Sequence, residues 1–395
     1  MIRKYIKNIT PGMKLGKIIY GENYEVLLKP GIELTRGYID RLQRMGFICI
    51  YIEDGETADV ELKDPISERI RVMATKDILK TYKVTKASIS NIEADTTESV
   101  IKAINTTKIK KSFQESPEFQ QLCKDIGSFL NEIMEQDVLS GLNSIKTVDN
   151  YTYEHSVDTA IISLIIAKRL SLEKRKLEQI AIGQFLHDIG KIFIDEKILN
   201  KPGKLTPEEY TLIKGHPSFG YELVRDIPTI GPVAAHIPFQ HHERQDGYGY
   251  PRGLTGTNKL DTGKIVYKEK DKLIMAAEIS ALADFYDACL SDRPYRPGML
   301  PDLVYDLIRA GAGTQFNKEL VDLFMTVIPK YPAGTPIKIR AGTYQGYTGV
   351  VLSINPSHLS KPNIKLLADK KNNKISPITI DLSTREQDIE LECIR

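Results

Sequence analysis

Histidine is scarce in this chain and unevenly placed. Of its seven histidines, six (155, 187, 216, 236, 241 and 242) fall in one internal stretch. His155 stands in YTYEHS at the head of an apolar run, and His187-Asp188 stands in HDIGK directly after the apolar IAIGQFL. His216 opens HPSFG, and the doublet His241-His242 precedes Glu243. A single histidine beside apolar residues is ordinarily a satisfied core residue, and His236 and His358 are read that way. Adjacent His-Asp and His-His pairs differ, because they bring several polar groups toward a core where burial demands partners. A metal ion supplies such partners. Imidazole nitrogen and carboxylate oxygen suit iron, manganese or zinc. Asp188 is the best bridge: its two oxygens can span cations about 3.5–4 Å apart, the separation used in two-metal hydrolysis, where the cluster acidifies a water and clamps phosphate oxygens.

The elements that must carry these residues can be read from periodicity. Residues 1–64 have the pattern of a small α/β module: KIIY and EVLL as strands, Pro30-Gly31 as a turn, Thr35 to Met45 with helical spacing, and FICIYI as a buried strand. Residues 65–146 form a polar helical connector. In it Ser116-Pro117-Glu118 opens a helix whose apolar stripe is Phe119, Leu122, Ile126, Phe129 and Ile133. That stripe either packs on the next domain or dimerises. Residues 147–328 read as helical, with Val157 to Leu170 apolar on most faces and Thr206-Pro207-Glu208-Glu209 as a capping box. Residues 329–395 turn to strands (PIKIR, GVVLSI, IKLLA, ITIDL, IELECI), as expected of a small β-barrel-like domain or sandwich. The fold expected is therefore multidomain: an all-α catalytic domain between an N-terminal α/β module and a C-terminal β domain.

Composition narrows the function classes. With 54 basic and 52 acidic side chains the net charge is +2, which argues against a dedicated DNA or RNA coat while leaving room for a local basic pocket. Cys49, Cys123, Cys289 and Cys393 form no CxxC pair, so neither a disulfide framework nor thiolate zinc is expected. The longest apolar stretch, Ala160 to Ala167, falls short of the about 20 residues that span a bilayer. The start, MIRKYIKNITPGMKLG, has no signal-peptide pattern, so a cytoplasmic protein without a membrane partner is expected.

YTYEHS, HDIGK, GHPSFG, HHERQDGYGYP and ALADFYDACLSDRPYR stand in the order found in HD-GYP domains, a branch of the HD phosphohydrolase superfamily, which residues 147–328 resemble. The resemblance implies a cyclic di-GMP phosphodiesterase giving linear pGpG, with pGpG or GMP as the final product. It implies metal ligation by His155, His187, Asp188, His216, His241, His242 and Asp284, with Asp188 as the bridge. It gives Lys191 a contact to the scissile phosphate, Arg293 and Arg296 a hold on the dinucleotide phosphates, and Tyr250 a place near the guanine or the phosphate. It favours iron or manganese over zinc, nickel or cobalt. Asp287 shares a helical face with Asp284 and is read as structural.

Two departures from the family pattern matter. Some members carry a glutamate four residues before the first histidine, where it helps hold a third metal. Tyr151 stands there, and the neighbouring Glu154 should point elsewhere on the helix. A two-metal site is expected. Between Pro251 and Asp284 the chain is also longer than usual, and residues 255–272 read as an insertion with a hairpin around Asp261-Thr262-Gly263, either solvated or lid-forming. Two other functions stay open: a non-catalytic cyclic dinucleotide sensor or scaffold docking on a diguanylate cyclase, and a phosphodiesterase for cyclic GMP-AMP or another phosphoester. A homodimer is also allowed for.

Overall fold

The computed structural model describes residues 1–395 apart from 61, 90–95, 143, 148–149, 202, 261–271, 293–296 and 385–388. At the N-terminus β1 (Ile2–Tyr5) is followed by β2 (Ile19–Tyr20) and β3 (Val26–Leu28), then α1 (Arg36–Arg44) and β4 (Cys49–Ile52). Thr35 caps α1 by accepting from the Tyr38 amide. β1 pairs antiparallel with β4, Ile2 opposite Ile52 and Tyr5 opposite Cys49, while β2 pairs with β3. Leu15, Ile19, Leu34, Ile39, Leu42 and Ile50 fill the small core between these two ribbons and α1.

The helices then run α2 (Glu68–Ser88), α3 (Thr97–Ile104), α4 (Thr107–Glu115) and α5 (Pro117–Met134). Ser116 accepts from the Phe119 amide with Pro117 behind it, the start that the sequence indicates. The stripe Phe119, Leu122, Ile126, Phe129 and Ile133 is buried in one continuous core with the following helices, so this face is spent inside the chain. On α2, Asp77 is buried beside Asp125 of α5. Burial, assisted by Asp125, pushes its carboxyl up to about 7. A carboxyl raised above its unfolded value of 3.8 favours the fold at low pH, and that contribution is lost as pH climbs to about 7. Asp77→Asn should therefore raise the melting midpoint by about 2–4 °C at pH 8 and by clearly less at pH 5, read from thermal melts at the two pH values.

Next come α6 (Tyr151–Arg169), α7 (Lys174–Phe185), α8 (Glu196–Leu199), α9 (Pro207–Ile213), α10 (His216–Val224), α11 (Gly231–Gln240), α12 (Met275–Leu290), α13 (Pro301–Ala310) and α14 (Lys318–Met325). α6 is buried on every face from Glu154 to Ala167, its apolar run broken by polar residues that are themselves buried, Glu154, His155 and Asp158 among them. It is the central rod of the domain, with α7 and α12 laid directly on it. The Thr206–Glu209 capping box forms as expected. A 3-10 turn at Ile189–Phe193 links α7 to α8 and packs against the start of α10. Gly190 permits this approach, since a Cβ there would lie 2.0 Å from the His216 carbonyl oxygen. No helix among the described residues is long and apolar enough to cross a membrane.

The C-terminal strands are β5 (Pro336–Ala341), β6 (Thr348–Ser353), β7 (Asn363–Ala368), β8 (Lys374–Asp381) and β9 (Glu390–Cys393). They form one antiparallel sheet in the order β8-β7-β6-β5-β9. The barrel expected from the sequence is thus corrected to an open sheet. β9 joins the β5 edge across an irregularity between Ile339 and Ala341, and among the described residues it makes no pairing with β8. Strand count can be read from periodicity, but the edge to which the last strand returns cannot. Ile337, Ile339, Val351, Ile364 and Leu366 form the buried face.

Candidate metal centre

Four helix ends meet around Asp188. His187 follows the end of α7, and Asp188 leads into the 3-10 turn. His216 opens α10 just past α9, and His241 and His242 follow α11. His155 comes from the first turns of α6 and Asp284 from the middle of α12. Two groups of ligand atoms result, each within 4.8 Å of one another: His155 with His187 and Asp188, and His216 with His241 and His242. Asp188 lies between them. One carboxylate oxygen is 3.4 Å from His216 Nε2 and 3.9 Å from His241 Nε2, and the other is 3.5 Å from His187 Nε2. Asp284 stands 3.0 Å from His155 Nε2. All seven residues expected to ligate metal are thereby brought to one place.

Three of the histidines are oriented by the same device. The last carbonyls of a helix have no partner within it. Here the Nδ1–H of His187 donates to the Gln184 oxygen at 2.7 Å, that of His216 to Ile213 at 2.7 Å, and that of His241 to Pro238 at 2.8 Å. Because a carbonyl can only accept, the proton must sit on Nδ1, which leaves the Nε2 lone pair facing inward. Buried His187 Nε2 has no hydrogen-bond partner, and the Nε2 atoms of His216 and His241 face each other at 3.3 Å. Converging lone pairs in a buried site are what a cation satisfies, so these residues fit a metal.

The electrostatics agree with that fit. Burial lowers the imidazolium pKa of His187. Burial, together with the neighbouring imidazoles, sends that of His241 well below the ordinary value, and burial with His216 takes His242 down to about 3. The rings are thus neutral and able to ligate near neutral pH. Burial would raise the Asp188 carboxyl, but Lys191 and His187 outweigh it and hold it well below the usual range. His155 is the exception. Against burial, Tyr151 and the carboxylates of Asp284 and Asp287 raise it well above its ordinary value, and what favours a proton there also favours a cation.

Behind His155 lies a group that the sequence reading left as merely structural. Its Nδ1 is 2.6 Å from Asp287, whose two oxygens each accept from Lys146 Nζ at 2.7 Å. Tyr151 lies parallel to the His155 ring, centroids 5.5 Å apart. Asp287→Asn should leave the fold intact and weaken metal binding about 10–100-fold, the usual cost of losing the carboxylate behind a ligand imidazole, as measured by competition with a metal-sensitive dye. Lys146 also pairs with Asp158, which pairs with Arg71 at 2.7 Å. Arg71 reaches Glu154, whose carboxylate accepts from Tyr24 of the N-terminal module at 2.8 Å. Glu154 therefore turns away from the metal ligands, as its place beside His155 implies.

At the opening, Lys191 donates to Asp188 at 2.6 Å and is about a third exposed. Tyr250 stacks on His242 with centroids 4.7 Å apart, and Lys214 Nζ lies 5.5 Å from the centre of its ring. Glu243 fixes the loop that carries Tyr250 by accepting from the amides of Arg252 and Leu254 at 2.7 and 2.8 Å. Gly249 is required there, because a Cβ would lie 2.5 Å from the Arg244 amide nitrogen. Tyr248 at the loop's tip is 86% exposed. Arg293 and Arg296 lie outside the described residues, as does the hairpin expected around residues 261–263. The two ends of the insertion meet where Thr255 bridges Lys272.

Comparison with known proteins agrees with this geometry. Residues 143–320 match the model of a family described as the HD domain. A cyclic di-GMP phosphodiesterase of Pseudomonas aeruginosa is 32% identical over 232 residues, 58% of this chain and 51% of that protein. One from Thermotoga maritima is 32% identical over 217 residues, 55% of this chain and 54% of that protein. A 3'3'-cGAMP-specific phosphodiesterase of Vibrio cholerae is 32% identical over 180 residues, 46% of this chain and 38% of that protein. The chain spans about half the length of the first two or less of the third. Residues 143–320 of this chain are thus similar to the HD domain family.

Proposed function

We propose that this protein is a metal-dependent phosphodiesterase that opens cyclic di-GMP to linear pGpG and carries it on to GMP. The observation that carries this reading is the convergence on Asp188 of histidine Nε2 atoms whose opposite nitrogens are already committed to backbone carbonyls. His155, His187, Asp188, His216, His241, His242 and Asp284 would hold two divalent cations, with iron or manganese our choice; Tyr151 in place of a carboxylate supports two rather than three. Bound there, the cations would acidify water and screen phosphate charge. Lys191, already paired with Asp188, would carry the charge growing on the phosphoryl oxygens. Tyr250 would stack a guanine, and Arg293 and Arg296 would take the two phosphates. Water adds to phosphorus, the ring's P–O3' bond breaks, and the released 3'-oxygen takes a proton.

The division into 1–64, 65–146, 147–328 and 329–395 belongs to the same proposal, with the outer modules placing the catalytic domain. Four free cysteines support a cytoplasmic setting. Similarity to a 3'3'-cGAMP-specific enzyme supports a second substrate. Incubating manganese- or iron-loaded protein with cyclic di-GMP and with cyclic GMP-AMP, and separating the products by chromatography, tests both. Linear product from cyclic di-GMP supports the first reading; product from cyclic GMP-AMP alone moves the assignment to the second, and no product from either overturns the activity.

A further inference from the structure

A second cavity, of about 380 Å³, lies where the N-terminal module, the helical domain and the C-terminal sheet meet. That volume is in the range of pockets that enclose small molecules. Much of its wall is apolar: Ile48, Leu139, Leu142, Tyr286, Leu290 and Leu300 line it, with Ala333 among the residues on the C-terminal side. Beside Lys4, Ser144 and Asp158, it has polar groups of two kinds. Arg3 and Arg395 line it together with a single carboxylate near them, Asp292. Arg3 donates to Asp292 at 2.5 Å while its side chain remains 47% exposed, and the Arg395 guanidinium donates to the Gly298 carbonyl at 3.1 Å. Arg3 is thus paired with a carboxylate and Arg395 with a backbone carbonyl, and among the described residues the two guanidiniums have donors left over for an anion. The second kind is Lys146, Asp287 and Ser291, which also line the cavity and are the groups that hold His155.

We propose that this cavity is an effector site for a small amphipathic anion, its apolar body among the aliphatic and aromatic side chains and its acidic head on Arg3 and Arg395. The occupant reaches the metal ligands through Lys146 and Asp287. Moving Lys146 alters the hold of Asp287 on His155 Nδ1, and with it the affinity of the cluster for a cation. The coupling rests on the metal centre described above, whereas binding in the cavity does not.

The test uses the full chain and 1-anilinonaphthalene-8-sulfonate, an aromatic body with one sulfonate, beside its uncharged parent N-phenyl-1-naphthylamine. The expected result is one saturable fluorescent site per chain that prefers the anion. Ala333→Trp, which fills the cavity from a loop, should abolish it, and Arg395→Gln should weaken it about tenfold, the loss of one charge-assisted hydrogen bond. Manganese titrated into the probe-loaded chain should bind with an affinity changed at least about threefold, while Ala333→Trp without probe binds manganese as the native chain does. Manganese uptake with no probe binding overturns the effector site and spares the metal centre. Probe binding that survives both substitutions, or that leaves manganese affinity unchanged, overturns it equally.

Discussion

Asp188→Ala should abolish tight metal binding and lower phosphodiester hydrolysis by roughly a thousandfold or more, without unfolding the protein. The oxygens of Asp188 approach ligand nitrogens from both histidine groups. Removing it takes the negative charge from between the two histidine groups, and electrostatic stabilisation of this kind is worth about 10²–10³ for even a single donor. The fold should survive because little else leans on this side chain. His187 and His241 are neutral without it, and Lys191, its hydrogen-bond donor, is near enough to solvent to find water. The checks are metal content after dialysis, steady-state turnover of cyclic di-GMP, and a melting curve close to that of the native protein.

Arg71→Met should cost about 3–5 kcal/mol of stability, the usual penalty for removing one member of a buried ion network. The guanidinium, 4% exposed on α2, is the cation between Asp64, Glu154 and Asp158. Burial already raises the Glu154 carboxyl against the pull of Arg71, whereas Asp158 is held below its ordinary value because Lys146 and Arg71 outweigh burial. Without the arginine both shift upward. A carboxyl raised in the fold favours it at low pH and loses that contribution as pH rises, so the deficit should be larger at pH 8 than at pH 5. Urea unfolding at both values measures it. Since Glu154 also receives the Tyr24 hydroxyl, the N-terminal module should become more accessible to protease in the variant.

The ligands of the candidate site were legible because their types cluster in short motifs: His187-Asp188, His241-His242 and the Asp284 stretch announce themselves. What holds them was less so. Asp287 could be placed on the face of Asp284 by helical spacing, but its contact with His155 crosses from α12 to α6, and Lys146 arrives from a loop that no periodicity describes. One signal went unread: His187, His216 and His241 each stand three residues beyond a carbonyl in the last turn of a helix. Recognising those helix ends would have given the orientation of each ring. In the fold, IRKY of β1 escaped because two charges in four residues hide a strand whose pairing with β4 is decided by tertiary packing. The open sheet escaped for a related reason, since the position of β9 beside β5 is a long-range choice.

The central claim is that these seven side chains cage a pair of cations, and elemental analysis of the purified chain loaded with manganese or iron measures it most directly. The account predicts close to two metal ions per native chain and at most one in His187→Ala, which removes the unpartnered Nε2. A native chain that retains no metal, or a His187→Ala chain that keeps both ions, would contradict it.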